Sequence, residues 1–192
     1  MLEKIKRDLR TKFLKKRKSV KNKINKEKKI VKKLKNLLNC NNLVTAVYYS
    51  TKSEVNLINF VNHMHKNQQK ILLPVINKNN SPLLFKEWKS DDKLMPGKYG
   101  IMIPSIKLYA TPKILIVPML AFDKNKCRLG YGGGYYDRTI SFLEKNSNIL
   151  KFGVAFDEQE IEKVPTMRFD KRMDIILTPV SYTHLRAHET TN

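Results

Sequence analysis

Apolar residues near the start of the chain fall at Leu2, Ile5, Leu9 and Phe13, and again at Val20, Ile24, Val31, Leu34 and Leu38. Steps of three, four and seven place side chains on one stripe of an α-helix, so the spacing predicts amphipathic helices through residue 40. Ser19 breaks the stripe and is placed to cap a second helix opening near Val20. Residues 43–50 (LVTAVYYS) are β-branched and aromatic, the mark of a buried strand. Helical spacing returns in 54–66 through Val55, Ile58 and Val61. Two further short apolar runs follow, 70–76 (KILLPVI) and 113–122 (KILIVPMLAF). A polar turn cluster at 77–82 leads to 83–88, read as a hairpin arm. The end of the pattern predicts a helix over 138–146 and strands over 150–156 and 174–178.

Strands alternating with helices argue for an α/β layer fold with a mostly parallel sheet. In such sheets, ligands bind where loops and helix N-termini meet at the carboxyl ends of the strands. There is no internal repeat and no long linker, so residues 1–180 are expected to form a single domain, with the basic helical arm 1–40 packed on it. Residues 181–192 (SYTHLRAHETTN) contain no lysine after a lysine-crowded body. That break in composition reads as a foreign tail from cloning or sequence assembly, and it includes His184 and His188.

Composition narrows the classes. The chain has 192 residues, 41% of them hydrophobic, enough for one substantial core. No stretch reaches the roughly 18 apolar residues of a membrane-spanning helix. Cys40 and Cys127 form no CxxC pair, so neither a disulfide framework nor a zinc ribbon is supported, and reduced thiols in the cytoplasm are expected. The net charge is +21, of which residues 1–40 carry +14. A basic helical arm of this kind either attracts polyphosphate, as nucleic acid or nucleotide, or is a solvated lysine face in a chain rich in Lys, Asn and Ile throughout. It is almost all lysine where a mitochondrial presequence is rich in arginine and serine, and it carries Glu3, Asp8 and Glu27.

Candidate chemistry is concentrated in 123–138 (DKNKCRLGYGGGYYDR), where Gly130, Gly132, Gly133 and Gly134 supply four of the chain's seven glycines. Glycines permit positive φ and remove Cβ atoms, so consecutive amides are free to surround an anion, and a following helix adds its N-terminal donors. Arg128 offers a planar, permanently charged fork to phosphate oxygens. Asp137 offers a hard carboxylate suited to Mg²⁺. No Gly-Lys-Ser/Thr follows, which excludes a Walker A loop, and the glycine spacing is wrong for a dinucleotide fingerprint. A glycine turn that merely packs between strand and helix is the alternative.

The run Val117-Pro118-Met119-Leu120-Ala121-Phe122-Asp123, followed by Arg128-Leu129-Gly130-Tyr131-Gly132-Gly133-Gly134-Tyr135-Tyr136-Asp137-Arg138, resembles the signature of the 5-formyltetrahydrofolate cyclo-ligase (methenyltetrahydrofolate synthetase) family. Lys6-Arg7-Asp8-Leu9-Arg10 resembles that family's N-terminal Lys-x-x-Leu-Arg. Tyr49 with Glu54 resembles its segment after the first strand, and Gln159, Pro165, Asp170 and Asp174 resemble its closing pattern. The resemblance spans roughly residues 4 to 178. It implies a three-layer α/β fold and a monomeric enzyme. The implied reaction depends on ATP and Mg²⁺ and closes 5-formyltetrahydrofolate to 5,10-methenyltetrahydrofolate, releasing ADP and phosphate.

Carried over residue by residue, the resemblance assigns Lys6, Arg7, Asp8, Leu9, Arg10 and the run Arg128, Leu129, Gly130, Tyr131, Gly132, Gly133, Gly134, Tyr135 and Tyr136 to ATP. Arg10, Tyr49, Glu54 and the Tyr131-to-Tyr135 run go to folate, and Tyr99 is a candidate aromatic wall for the pterin. Arg128 and Tyr135 are the expected catalytic pair, and Asp137 and Asp170 the Mg²⁺ ligands. Each has a plainer reading. Tyr49 would serve as a strand aromatic, Glu54 as a first-turn acid on a helix, and Asp170 as a partner of Arg168 or Arg172. Family members often carry a basic folate contact where this chain has Leu14. His63 and His65, two apart on a helix, make a poor metal pair, and Trp88 and the cysteines read as packing residues. The alternative in a different class is an RNA-binding protein that uses the lysine-rich arm.

Overall fold

The computed structural model describes residues 1–38, 43–51 and 53–180. Cys40 and the segment from Ser181 onward, with His184 and His188, lie outside the described residues. Helices α1 (Leu2–Lys18) and α2 (Lys23–Leu38) come first, then β1 (Thr45–Ala46) and α3 (Ile58–Lys66). Strands β2 (Ile71–Val75) and β3 (Leu84–Trp88) form a hairpin, and β4 (Leu94–Pro96) with β5 (Met102–Pro104) a small ribbon. Then come β6 (Ile114–Pro118), a second ribbon of β7 (Ala121–Phe122) and β8 (Arg128–Leu129), α4 (Tyr135–Asn146), β9 (Leu150–Val154) and β10 (Ile175–Leu177).

The central sheet has the order β10-β9-β6-β1-β2-β3, parallel at every pairing except β2 with β3. Its middle strand shows why the apolar runs are unbroken. Ile114 and Ile116 of β6 join a core with Ile30, Leu34, Phe60 and Met64 of α2 and α3. Leu115 and Val117, pointing the other way, join one with Ile140 and Leu143 of α4. A strand covered on both faces needs apolar residues at successive positions, and the result is three layers. Cys127 and Trp88 are buried packing residues. Among the described residues no helix is long and apolar enough to cross a membrane.

Several local expectations change. Ser19 closes α1 instead of opening α2: its amide bonds the carbonyls of Lys15 and Lys16, and its hydroxyl donates to Lys16 O at 3.0 Å. Asn22, at φ 52°, then turns the chain before α2 starts at Lys23; asparagine tolerates that left-handed region better than most residues. The 43–50 strand pairs only through Thr45–Ala46, with Val47 still donating to Leu72 O at 2.9 Å. Beyond it, Tyr48 and Ser50 both donate to Val55 O, each at 2.9 Å, folding the chain back on itself. Helix α3 therefore opens at Ile58, after Glu54, which instead accepts from Thr51 N (2.8 Å) and Thr51 Oγ1 (3.1 Å). Helix α4 opens at Tyr135, three residues early, because Gly134 at φ 64° turns directly into it.

The inner face of α1 also differs from the predicted apolar stripe. Ile5 is exposed, while Lys6, Phe13 and Arg17 are buried. Phe13 packs with Leu120, Cys127, Leu129 and Val164, seating the helix across the carboxyl end of the sheet.

Two measurements check this packing. Leu34→Ala, in a fully buried position, is expected to cost about 2–5 kcal/mol in urea unfolding, whereas Ile24→Ala on the exposed side of α2 changes little. Glu144 of α4 accepts from Lys151 Nζ at 2.6 Å and Lys171 Nζ at 2.8 Å. Burial alone would raise its pKa, but the two lysines outweigh it and hold the carboxyl below the usual range. A depressed acid adds stability above its unfolded pKa and loses it as pH falls through the folded value. The stability gap between wild type and Glu144→Gln should thus be open at neutral pH and close on acidification below the ordinary glutamate range.

Candidate active site

The sheet changes winding direction at its centre. From β1 the chain moves outward through β2 and β3, then returns to the opposite side of β1 for β6, β9 and β10. Such a switch point leaves a crevice beyond the carboxyl ends of the two central strands. Here the crevice is a cleft of about 1190 Å³, lined by the segments after β1 and β8, by α1 and by the β4–β5 ribbon.

The inward face of helix α1 runs at four-, three- and four-residue steps through Lys6, Arg10, Phe13 and Arg17, and of these Lys6 and Arg10 line the cleft. Lys6 Nζ lies 2.5 Å from Asp170 Oδ2, which also accepts from Met167 N at 2.7 Å. Asp170 is thus paired across the chain with Lys6, and not with Arg168 or Arg172. Arg10 Nε donates to Gly130 O at 3.1 Å. Arg7 and Asp8 are exposed and outside the cleft lining, and Leu9 packs against the Phe13 cluster. Helical periodicity explains this split, since residues three or four apart share a face while Arg7 and Asp8, one and two after Lys6, turn away from it. The pentapeptide assigned as a block reaches the cleft at its two ends.

The glycine loop is bare because side chains lie against it. At Gly132, φ is 98° and an added Cβ would stand 3.0 Å from the Arg10 guanidinium. The carbonyls of Gly130 and Gly133 accept from Arg10 and Arg138, the latter at 2.5 Å. Among the described residues, no backbone bond is donated by the amides of Gly130 to Gly134. Carbonyls drawn toward guanidinium groups with amides left unspent make an anion cradle. Arg128, nearly buried, donates from Nη2 to Asp137 Oδ1 at 2.8 Å, and its buried Nε has no acceptor. A buried orphan donor on a guanidinium is costly without a ligand.

Asp137 also accepts from Lys171 N at 3.0 Å through the same oxygen that holds Arg128. Both Asp137 and Asp170 line the cleft, and the bonds named here use one oxygen of each. Among the described residues no group of three or more His, Cys, Asp or Glu side chains could hold a metal by itself. Two carboxylates completed by phosphate oxygens is the donor set Mg²⁺ prefers, so the residues fit that ion in company with a nucleotide.

The rest of the lining is phenolic and acidic. Tyr48, Tyr49, Glu54, Tyr99, Tyr131, Tyr135 and Tyr136 all line the cleft. Tyr49 also packs against Trp88 at 6.2 Å between ring centroids. Burial, then the charge of Glu54, pushes the hydroxyls of Tyr48, Tyr131 and Tyr136 up, so they stay neutral. Tyr135 is raised chiefly by a hydrogen bond shared with Tyr99, which joins the glycine loop to the β4–β5 ribbon. Tyr48 and Arg17 were not among the sequence candidates. Arg17 was legible in principle, standing seven residues after Arg10 and thus on the same helical face.

Fold and site together define an α/β protein with a ligand cleft at the carboxyl edge of a mostly parallel sheet, lined by cations, a glycine loop and tyrosines. Comparison with known proteins is specific. The 5-formyltetrahydrofolate cyclo-ligase family profile matches residues 3–179. The 5-formyltetrahydrofolate cyclo-ligase of Haemophilus influenzae is 30% identical over 131 residues, covering 65% of this chain and 70% of that protein. The Escherichia coli K12 enzyme is 28% identical over 140 residues, 70% of this chain and 76% of its own length. The NMR structure of Aquifex aeolicus 5,10-methenyltetrahydrofolate synthetase superposes with a TM-score of 0.83 at 29% identity, covering 98% of this chain and 96% of that one. A Mycoplasma pneumoniae synthetase at 24% identity shares the fold, with a TM-score of 0.70 over 91% of this chain and 98% of that one. The chain belongs to the 5-formyltetrahydrofolate cyclo-ligase family, and is a ligase of that kind.

The glycine loop yields a direct test. Gly132→Ala and Gly100→Ala both ask alanine to adopt positive φ, 98° and 71°, but only the first meets another group, since nothing lies within 4 Å at Gly100. Both are expected to lose about 1 kcal/mol for the backbone. Gly132→Ala should lose measurably more in chemical denaturation, because Arg10 must move.

Proposed function

We propose that this protein uses ATP to convert 5-formyltetrahydrofolate to 5,10-methenyltetrahydrofolate, releasing ADP and phosphate. The observation that carries the reading is a cleft of about 1190 Å³ that brings Lys6, Arg10, Arg128 and the glycine loop together with Glu54 and a set of tyrosines. Sites for one small ligand occupy roughly 300–1,000 Å³, so this one has room for a nucleotide beside a reduced folate.

The formyl oxygen of the substrate is amide-like and a poor leaving group. In the proposed sequence it attacks the γ-phosphorus of ATP, and the bond to ADP breaks. N10 then adds to the activated carbon and gives up its proton, and the carbon–oxygen bond breaks to release phosphate. Such a transfer asks the protein for alignment and charge neutralisation more than for a nucleophile. Arg128, with its unspent Nε, Arg10 and the free amides of Gly130–Gly134 hold the phosphates. Lys6 adds a buried cation at the same end, positioned by Asp170. Asp137 and Asp170 are the residues that would hold Mg²⁺, which when bound offsets phosphate charge. Tyr49, Tyr99, Tyr131 and Tyr135 offer faces for the pterin, and Glu54 accepts from its ring nitrogens. Tyr135, the first residue of α4, lines the cleft directly after the glycine loop.

Incubation with 5-formyltetrahydrofolate, ATP and Mg²⁺ is expected to give a near-ultraviolet absorbance rise from methenyltetrahydrofolate that requires all three. Arg128→Met should lower kcat by about a hundredfold or more, whereas Lys4→Ala, exposed on α1, should stay near wild type. A folded protein that gives no ATP-dependent signal refutes the proposal.

A further inference from the structure

We infer that Arg17, a buried residue of α1, is a positioning residue that orients Glu54 for the folate through the Tyr131 hydroxyl and the Ser53 side chain. The inference rests on the proposed folate site and adds to it a residue that itself does not line the cleft.

Arg17 is 1% exposed, one of the most deeply buried large side chains in the protein. Its guanidinium spends three nitrogens on three segments. Nη1 donates to Met119 O at 3.2 Å, just past the end of β6. Nε donates to Ser53 Oγ at 3.1 Å. Nη2 donates to the Tyr131 hydroxyl, and the guanidinium also lies 5.4 Å from that ring's centroid. Met119 ties the group to the end of the sheet, while the other two bonds reach two loops of the cleft, the one after β1 and the glycine loop.

Both of those bonds converge on Glu54. Ser53 is its chain neighbour, and Tyr131 lines the cleft with Glu54, whose charge acts on the phenol. A phenol has one proton. With its oxygen already accepting from Arg17, that proton is left for Glu54, and the tyrosine becomes a fixed relay between a buried cation and a nearly buried anion. The carboxylate is further held by Thr51 N and Oγ1 at 2.8 and 3.1 Å. Arg17 therefore fixes both the position of Glu54 and the direction of the donor beside it, without touching the ligand. Lysine cannot replace it, because a single ammonium lacks the planar fork that serves three acceptors in fixed directions.

The test is a double-mutant cycle read by binding. Wild type, Arg17→Lys, Tyr131→Phe and the double variant are each titrated calorimetrically with 5-formyltetrahydrofolate and, separately, with ATP and Mg²⁺, and their KM and kcat values are measured. Each single variant is expected to weaken folate binding about tenfold, with ATP affinity changed less than about twofold, and the double variant should be no weaker than the worse single one. Losses that multiply in the double variant overturn the relay, as does an unchanged folate Kd in folded Arg17→Lys. If Arg17→Lys does not fold, Tyr131→Phe decides alone, since it keeps the ring and removes only the hydroxyl; an unchanged folate Kd there overturns the inference. A wild type that binds 5-formyltetrahydrofolate without cyclising it refutes the proposed reaction and leaves the relay open to the same cycle, and one that binds no folate overturns both.

Discussion

The arrangement of the cleft follows from one constraint: cations taken out of water must be met by acceptors in fixed places. Arg17, Lys6 and Arg128 are each at most 8% exposed. Desolvating an ion costs several kcal/mol even after relaxation, and an incomplete partner set leaves most of that cost standing. Each cation therefore dictates where some other segment lies. Lys6 holds the Asp170 loop, Arg128 holds the first turn of α4 through Asp137, and Arg17 holds the end of β6 and two cleft loops together. Helix α1 is held at the sheet edge both by its apolar patch around Phe13 and by the directional bonds of Lys6, Arg10 and Arg17.

This divides the large positive charge of the chain into two kinds. Most lysines of α1 and α2 are exposed and carry no information about position. The informative cations are mainly arginines, whose planar donor set satisfies several acceptors from one buried site and keeps its charge there. A helix with such a face serves the site rather than a distant polyanion. That is the structural reason to read α1, through Lys6 and Arg10, as part of the cleft lining.

The layered fold was legible because a sheet covered on both faces writes unbroken apolar runs such as 114–117 into the sequence, and helices write a period of 3.6. Element ends were less legible, because they depend on single side chains acting at a distance of a few residues. Asn22 turns the chain before α2, Glu54 ties up the turn before α3, and Gly134 starts α4 early. The glycine loop was visible through its concentration in a glycine-poor chain. The inward face of α1 was hidden, because a hydrophobicity pattern assigns the apolar side to the interior, and here Ile5 faces out while Lys6 and Arg17 face in. Burial of charge is decided by partners elsewhere in the chain, such as Asp170 and Met119, and no local period records them.

The glycine loop shows the same dependence from the other side. Read alone, its missing side chains make room for an anion. In the folded protein they also make room for Arg10, whose guanidinium lies where a Gly132 Cβ would stand and takes the Gly130 carbonyl, and for Arg138, which takes the Gly133 carbonyl. Turning those carbonyls toward fixed cations is what leaves the loop's amides unspent, because a peptide unit that aims its oxygen one way aims its N–H the other. The cradle is thus a joint property of the loop and of a helix more than a hundred residues earlier in the chain. A glycine-rich sequence without Arg10 opposite it would be a flexible turn, and Arg10 without the bare main chain would have no place to lie.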